Sequence, residues 1–202
     1  MKLFLSTGNK GKVAELIPLL REFFPEFKEI IPRAPLQAEE TAETFVGNAQ
    51  IKSEALAQEL IAESEPFPFA VLSDDSGLEV AALNGQPGVH SARYSGEHSN
   101  SEENIKKLLC EMALIRNRGC RYVCCLYLHI QASESQSHCF HSEGYCVGLI
   151  MQEAMGEGGF GYDPIFWSSE LNKRMSEASL SEKNQCSHRR QAFEKLALIY
   201  SA

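Results

Sequence analysis

The stretch Phe69-Ala70-Val71-Leu72-Ser73-Asp74-Asp75-Ser76-Gly77 decides the fold. Its first five residues carry no charge, which reads as a strand buried on both faces. Pro66 and Pro68 close off the segment before it. The strand runs straight into two adjacent carboxylates, Asp74 and Asp75. Carboxylates at the end of a buried strand are costly unless they bind a cation or accept hydrogen bonds. Open α/β sheets place ligands at the C-terminal ends of their strands, so one segment suggests both a fold class and a site. Asp-Asp-Ser-Gly would serve equally as an Asx-type turn leaving the strand.

The pattern continues outward in both directions. Residues 2–6 read as a short strand, residues 7–12 as a loop, and the following segment as a helix with Val13, Leu16, Leu20 and Phe23 inward. Pro18 is expected to kink that helix. Residues 27–31 read as a second strand and 43–63 as a longer helix. On that helix Phe45, Ala49 and Leu56 share one face, and Asn48 and Lys52 share a neighbouring one. Downstream, residues 99–112 read as a helix with a Ser99–Glu102 capping box. Residues 121–130, 138–143 and 145–150 read as strands, with Gly144 separating the last two. A closing helix is expected over 187–200, with Ser187 as its N-cap. Alternating strands and helices followed by antiparallel-looking strands predict an α/β fold. The sheet should be mixed and central, flanked by helices, within a single domain over 1–202.

Composition bounds the function. The chain has 202 residues and a net charge of −8, which argues against holding nucleic acid by general electrostatics. Hydrophobic residues make up 44% and charged residues 23%, as in globular domains and unlike disordered ones. No apolar run approaches the roughly 20 residues a membrane helix needs, and the apolar start of the chain is too short for a signal peptide. Seven cysteines without a CxxC pair read as reduced thiols of a cytoplasmic protein. His138-Cys139-Phe140-His141, with His129 nearby, matches no common zinc spacing.

Five segments could carry chemistry. Ser6-Thr7-Gly8-Asn9-Lys10-Gly11-Lys12 lies between a strand and a helix. Its glycines, helix N-terminus and lysines suit a phosphate, although the spacing is not that of a Walker A loop. It would also serve as an ordinary strand–helix turn. Asp74 and Asp75 are hard oxygen ligands that suit Mg²⁺ and could orient a water. Glu39-Glu40 precedes the helix carrying Asn48 and Lys52. These glutamates are helix-dipole partners unless the aspartates need a further metal ligand.

Gly156 to Gly161 has G-x-G-x-x-G spacing, but Tyr162-Asp163-Pro164 leads back toward a strand. A dinucleotide fingerprint is therefore rejected. What remains is a loop presenting Phe160 and Tyr162, whose rings could stack on a base, or a glycine-rich hairpin with its aromatics in the core. Finally, Lys183, His188, Arg189 and Arg190 cluster where the last helix opens. Cations there oppose the helix dipole unless something anionic is shared among them.

Taken together and in order, these segments resemble the inosine triphosphate pyrophosphatase family. The resemblance also rests on Gly85-Gln86-Pro87-Gly88-Val89-His90-Ser91-Ala92-Arg93-Tyr94 and covers nearly the whole chain. It implies two lobes with a central cleft, usually in a homodimer. It also implies hydrolysis of deaminated purine nucleoside triphosphates such as ITP, dITP and XTP, to monophosphate and pyrophosphate, with Mg²⁺. By resemblance, Thr7, Gly8, Asn9, Lys10, Gly11 and Lys12 would hold the triphosphate, with Lys52 assisting. Glu40 and Asp75 would serve the metal, Asp75 would activate the water, and Ser76 would touch the nucleotide. Phe160, with Gly161 and Tyr162 beside it, would meet the purine; Asp163, Lys183, His188 and Arg189 would read its edge. The choice between Glu39 and Glu40 stays open, and so does the means of rejecting guanine. Modified pyrimidine triphosphates are the nearest alternative substrates, and a non-catalytic nucleotide sensor is the alternative class.

Overall fold

The computed structural model describes residues 1–201. Seven strands lie in the order β2-β1-β3-β4-β5-β6-β7. They are β1 (Lys2–Ser6), β2 (Glu29–Pro32), β3 (Phe69–Val80), β4 (Gly119–Ser133), β5 (Gln136–Ile150), β6 (Phe166–Ser168) and β7 (Lys173–Arg174). β1 pairs in parallel with β2 and β3. The crossovers that parallel pairing requires are α1 (Lys10–Phe23) and α2 (Phe45–Ala62). β5, β6 and β7 pair antiparallel. The mixed sheet flanked by helices is as predicted. Three further helices follow: α3 (Ser101–Glu111), α4 (Leu180–Cys186) and α5 (His188–Tyr200).

The chain divides into two compact units. The first holds Met1–Asp75, Cys124–Gly144 and the chain from Arg189; the second holds Ser76–Val123 and Tyr145–His188. Side-chain alternation organises the first unit. Leu3, Leu5, Ala70 and Leu72 pack with Leu16, Leu20, Phe193 and Leu196 of α1 and α5. Phe4, Phe69 and Val71, one position out of phase, pack with Leu56 and Leu60 of α2. Each of the leucine, valine and phenylalanine side chains contributes roughly 1.5–3 kcal/mol when fully buried. The second unit has its own core, built on Leu78, Val80, Leu108, Met112, Ile165 and Phe166.

Several boundaries differ from the sequence reading. β3 does not stop at the aspartates but runs on to Val80, so Asp74 and Asp75 lie within a strand. β5 passes through Gly144 without a break. α1 begins at Lys10 and continues through Pro18. β2 begins at Glu29, two residues later than predicted. The capping box of α3 is Asn100 with Glu103, because Asn100 takes the extended N-cap conformation. The predicted closing helix is α5, which begins at His188 directly after the extended Ser187; a further short helix that was not predicted, α4, precedes it and is started by a capping box of Ser179 with Glu182.

Candidate active site

In the first unit, the turn from β1 into α1 is closed by its own side chains. Asn9 Oδ1 accepts from the backbone N–H groups of Gly11 at 2.9 Å and Lys12 at 3.2 Å. Thr7 Oγ1 accepts from the Asn9 N–H at 3.1 Å. The free N–H groups expected at this helix start are thus partly occupied. Neither Gly8 nor Gly11 has a positive φ, so the loop does not depend on left-handed glycines. What this turn contributes is its cations. Lys10 is exposed, and Lys12, one turn into the helix layer, reaches the sheet.

Lys12 Nζ lies 2.5 Å from Asp74 Oδ1. Arg189 Nε lies 3.6 Å from Asp74 Oδ2, and its Nη1 donates to Glu15 Oε2 at 2.8 Å. The Cys124 thiol also donates to Asp74 Oδ2, at 3.2 Å. Burial pushes the Asp74 carboxyl up, but Lys12 and Arg189 outweigh it and hold the group well below its ordinary range. Asp74 is therefore an anchor for two cations that stays ionised well below the ordinary carboxylate range. The basic cluster expected to share a ligand anion is matched, at Arg189, by this protein's own carboxylates. Arg190 likewise pairs with Glu22 and Glu194.

Asp75 faces the other layer. Lys52 Nζ donates to Asp75 Oδ1 at 3.0 Å and to the Asp74 carbonyl at 2.9 Å, and lies 3.2 Å from Glu40 Oε1. Asn48 Nδ2 donates to Asp75 Oδ2 at 3.4 Å, while Asn48 Oδ1 accepts from the Ala42 N–H at 3.0 Å. Asn48 thus ties the Glu40 segment to the aspartate. Gly47 lets that segment approach, since a Cβ there would lie 2.6 Å from the Ala42 Cβ. Glu40, not the exposed Glu39, is the glutamate that meets Lys52. Burial raises the Asp75 carboxyl; Lys52 and Lys12 lower it, Glu40 raises it further, and the net direction is up. Burial lowers Lys52, yet Asp75, Glu40 and Asp74 together raise it. Adjacent carboxylates thus differ in character: Asp74 is held ionised, and Asp75 has the raised affinity for a proton that a general base needs.

Glu40 and Asp75 converge on one ammonium, so they can share a cation. Among the described residues, no group of three or more His, Cys, Asp or Glu is placed to hold a metal. Two carboxylates completed by water and phosphate oxygens is a usual donor set for Mg²⁺.

In the second unit, both carboxylate oxygens of Asp163 are engaged. Its Oδ2 accepts from Lys183 Nζ at 2.5 Å and from the Phe160 N–H at 3.0 Å; its Oδ1 accepts from the Tyr122 hydroxyl at 3.0 Å. The His188 ring stacks on Tyr122 with centroids 5.0 Å apart. The glycine loop is shaped for this contact. Gly159 has φ +79°, and a Cβ there would fall 2.3 Å from Asp163 Oδ2. The Phe160 ring is half-buried, whereas Tyr162 is a core residue whose hydroxyl donates to the Ser91 carbonyl at 2.9 Å. Ser76 is half-buried at the start of this unit. His188 and Arg189 are consecutive, yet they belong to different units.

The sequence reading missed Glu15, Tyr122, Cys124 and Arg174. Glu15 had a signal, being an acid beside the inward Leu16 and three residues from Lys12. Tyr122 and Cys124 had none, because ordinary strands contain both. Arg174 is buried, and its Nε has no hydrogen-bond partner among the described residues.

The Ham1 family model matches residues 3–199. A dITP/XTP pyrophosphatase from Oceanobacillus iheyensis is 40% identical over 96% of this chain and 95% of its own length. One from Geobacillus kaustophilus is 42% identical over 96% and 92%. Among solved structures, the Staphylococcus aureus Ham1 protein aligns with TM-score 0.79 at 36% identity, over 100% of this chain and 98% of that one. A HAM1 protein from Coxiella burnetii aligns with TM-score 0.81 at 33% identity, over the same shares. With the order of its motifs, its sheet and nearly its whole length in agreement, this chain belongs to the Ham1 family.

Proposed function

We propose that this chain is a nucleoside triphosphate pyrophosphatase that hydrolyses deaminated purine nucleotides (ITP, dITP and XTP) to the monophosphate and pyrophosphate. The observation that carries the reading is the convergence of Glu40 and Asp75 on the Lys52 ammonium, with Asp75 raised by burial. The names of the relatives, dITP/XTP pyrophosphatases, support the substrate class.

In this mechanism Asp75 accepts a proton from the attacking water, and the raised carboxyl is suited to hold it. Lys12, Lys52 and the exposed Lys10 supply positive charge to the triphosphate. Thr7, Gly8, Asn9 and Gly11 shape that turn, and Ser76 contacts the nucleotide. Glu40 and Asp75 would hold Mg²⁺, which when bound neutralises phosphate charge and polarises the bond to be broken.

The second unit's groups recognise the base. Phe160 offers a ring to stack on the purine, and Gly161 with the core-anchored Tyr162 fixes that loop. Lys183 and His188 are donors suited to a 6-keto oxygen, with Asp163 holding Lys183 in place. Adenine's amino group would leave such donors unpaired. Arg189 acts through Asp74, as a positioning residue. A single functional domain, a homodimeric assembly and a cytoplasmic setting are parts of the same proposal. The seven free thiols fit a reducing compartment, and light scattering tests the dimer.

The deciding experiment is hydrolysis of ITP, XTP, dUTP, a methylated TTP and the ordinary triphosphates, with pyrophosphate detection, in Mg²⁺ and in chelator. Preferential release from ITP and XTP, abolished by chelator, is expected. Preference for a pyrimidine, or binding without release, overturns the reading.

A further inference from the structure

The histidine–cysteine segment that the proposed reaction does not use forms an ordered cluster in the first unit. Tyr127, His129 and Gln131 alternate along β4 and so share one face. All three are buried, and Cys139 on β5 is exposed beside them. The hydrogen bonds run in one direction. Gln131 Nε2 donates to the Ser133 carbonyl at 2.7 Å, which assigns the other amide atom, Oε1, to face the ring. That oxygen lies 2.6 Å from His129 Nε2 and can only accept. His129 Nε2 therefore carries the proton, and His129 Nδ1 is the bare nitrogen. Cys139 Sγ lies 3.6 Å from it, within reach for a sulfur donor. A backbone carbonyl thus sets the amide, the amide sets the tautomer, and the tautomer gives the thiol a base.

Tyr127 is a second neighbour of the thiol. Burial and then a hydrogen bond to Cys139 raise the Tyr127 hydroxyl, so it stays protonated and donates. His141 stacks on Tyr127 with centroids 6.5 Å apart, and Glu54 of α2 is the acid whose field reaches Tyr127. A cysteine with an adjacent base, oriented in turn by a third side chain, is the usual arrangement of an activated sulfur nucleophile. The group is not a metal site, since an amide stands where a third strong ligand would be needed.

We propose that Cys139 is a modification site, a thiol activated by His129 that exchanges with small-molecule disulfides of the glutathione class. His129 Nδ1 takes the thiol proton, and the Cys139 sulfur attacks one sulfur of the disulfide. A new S–S bond joins Cys139 to the attacked sulfur, and the S–S bond of the small-molecule disulfide breaks, releasing its second sulfur as the thiolate R–S⁻. The leaving thiolate takes the proton back from the imidazolium and departs as a neutral thiol. One disulfide is consumed and one is made, so no further oxidant is needed.

The molecule contains its own reference, because Cys110 is exposed on α3 and five other cysteines are buried. The intact protein is treated with limiting oxidised glutathione, and each site is followed by peptide mass over pH 6 to 9. An ordinary thiol is only a few per cent ionised at pH 7, so activation should give Cys139 about a tenfold rate advantage there. That advantage should shrink toward pH 9, where thiols without an adjacent base become nucleophilic as well. His129→Gln and Gln131→Leu should each abolish it, with Cys110 unchanged as the check on folding. Equal rates for the two cysteines at pH 7 overturn the proposal, as does an advantage with the same pH profile as Cys110. The wild-type profile decides by itself if a variant fails to fold. Cys139→Ser should retain nucleotide hydrolysis, which separates this proposal from the enzymatic one.

Discussion

Asp74 and Asp75 are neighbours in the chain and serve opposite layers of the first unit: Asp74 Oδ1 lies 2.5 Å from Lys12 Nζ, and Asp75 Oδ1 lies 3.0 Å from Lys52 Nζ. Strand alternation alone imposes this. The phase follows from the apolar residues before them, since Leu72 packs in the layer of α1 and Val71 in the layer of α2. One carboxylate anchors cations and the other is left with an elevated proton affinity.

Asp75→Asn should therefore reduce ITP hydrolysis by about 10²–10⁴-fold, the range for loss of a positioned acid–base group. Thermal stability should change by less than about 1 kcal/mol, because burial disfavours the charge that the amide removes. Steady-state kinetics with a melting curve checks both. Turnover near that of the wild type would remove Asp75 from the chemistry.

Asp74→Asn should behave in the opposite way. It strips the buried partner from Lys12 and Arg189, and loss of one member of a buried pair destabilises by about 3–5 kcal/mol. The sign with pH follows from a depressed carboxyl. Its stabilisation is complete above the ordinary value of 3.8 and is lost as pH falls below that, through the folded-state value. Urea midpoints should converge for wild type and variant in acid and differ most near neutrality. A constant difference across pH would contradict the assignment.

The pH dependence of turnover should report Asp75. Its carboxyl is raised above 3.8, so the acid limb of kcat/KM should fall at a midpoint above that value, with activity gained as pH rises through it. Lys52→Met removes a cation that lowers the carboxyl, so any residual activity should show the limb displaced to higher pH. An unmoved limb would assign it to another group.

Discrimination between bases should reside in the second unit. Lys183→Met removes a donor while keeping most of the side chain's bulk. The ITP-over-ATP ratio of kcat/KM should fall by about 10–100-fold, the usual value of one polar contact in a specificity site. Competition assays with mixed substrates measure the ratio directly, and an unchanged ratio would move base recognition elsewhere.

Gly159→Ala should disturb the loop that carries Phe160. The new methyl would sit 2.3 Å from Asp163 Oδ2 at a φ of +79°, with strain of about 1–3 kcal/mol. Gly8→Ala is the comparison, because its Cβ would meet only the Ala34 Cβ at 3.5 Å. The first should raise KM for ITP and lower the melting temperature, and the second should leave the melting temperature unchanged.

The sequence by itself determined the class of fold and the identity of the segments that matter. Those properties are local: a run of apolar residues from Phe69 to Leu72, the 3.6-residue spacing of Leu16 and Leu20, and motifs read in order along the chain. Element ends were less legible. Asp74 and Asp75 looked like the end of a strand because charge ordinarily stops burial, whereas Lys12, Arg189 and Lys52 compensate it and the strand continues to Val80. Local signals for the helix N-caps existed at Asn100 and Ser179, but neighbouring serines offered equally good ones. Only the tertiary structure decided which charges meet. Arg189 pairs with Glu15, 174 positions away, and Lys52 with Asp75, 23 away. It chose Glu40 over Glu39 by the side chain that reaches Lys52, and it placed Tyr122 under His188. The physical reason is one of range. Hydrophobic periodicity acts within a few residues, while ionic partners and tautomers are set by atoms that folding brings within hydrogen-bond distance.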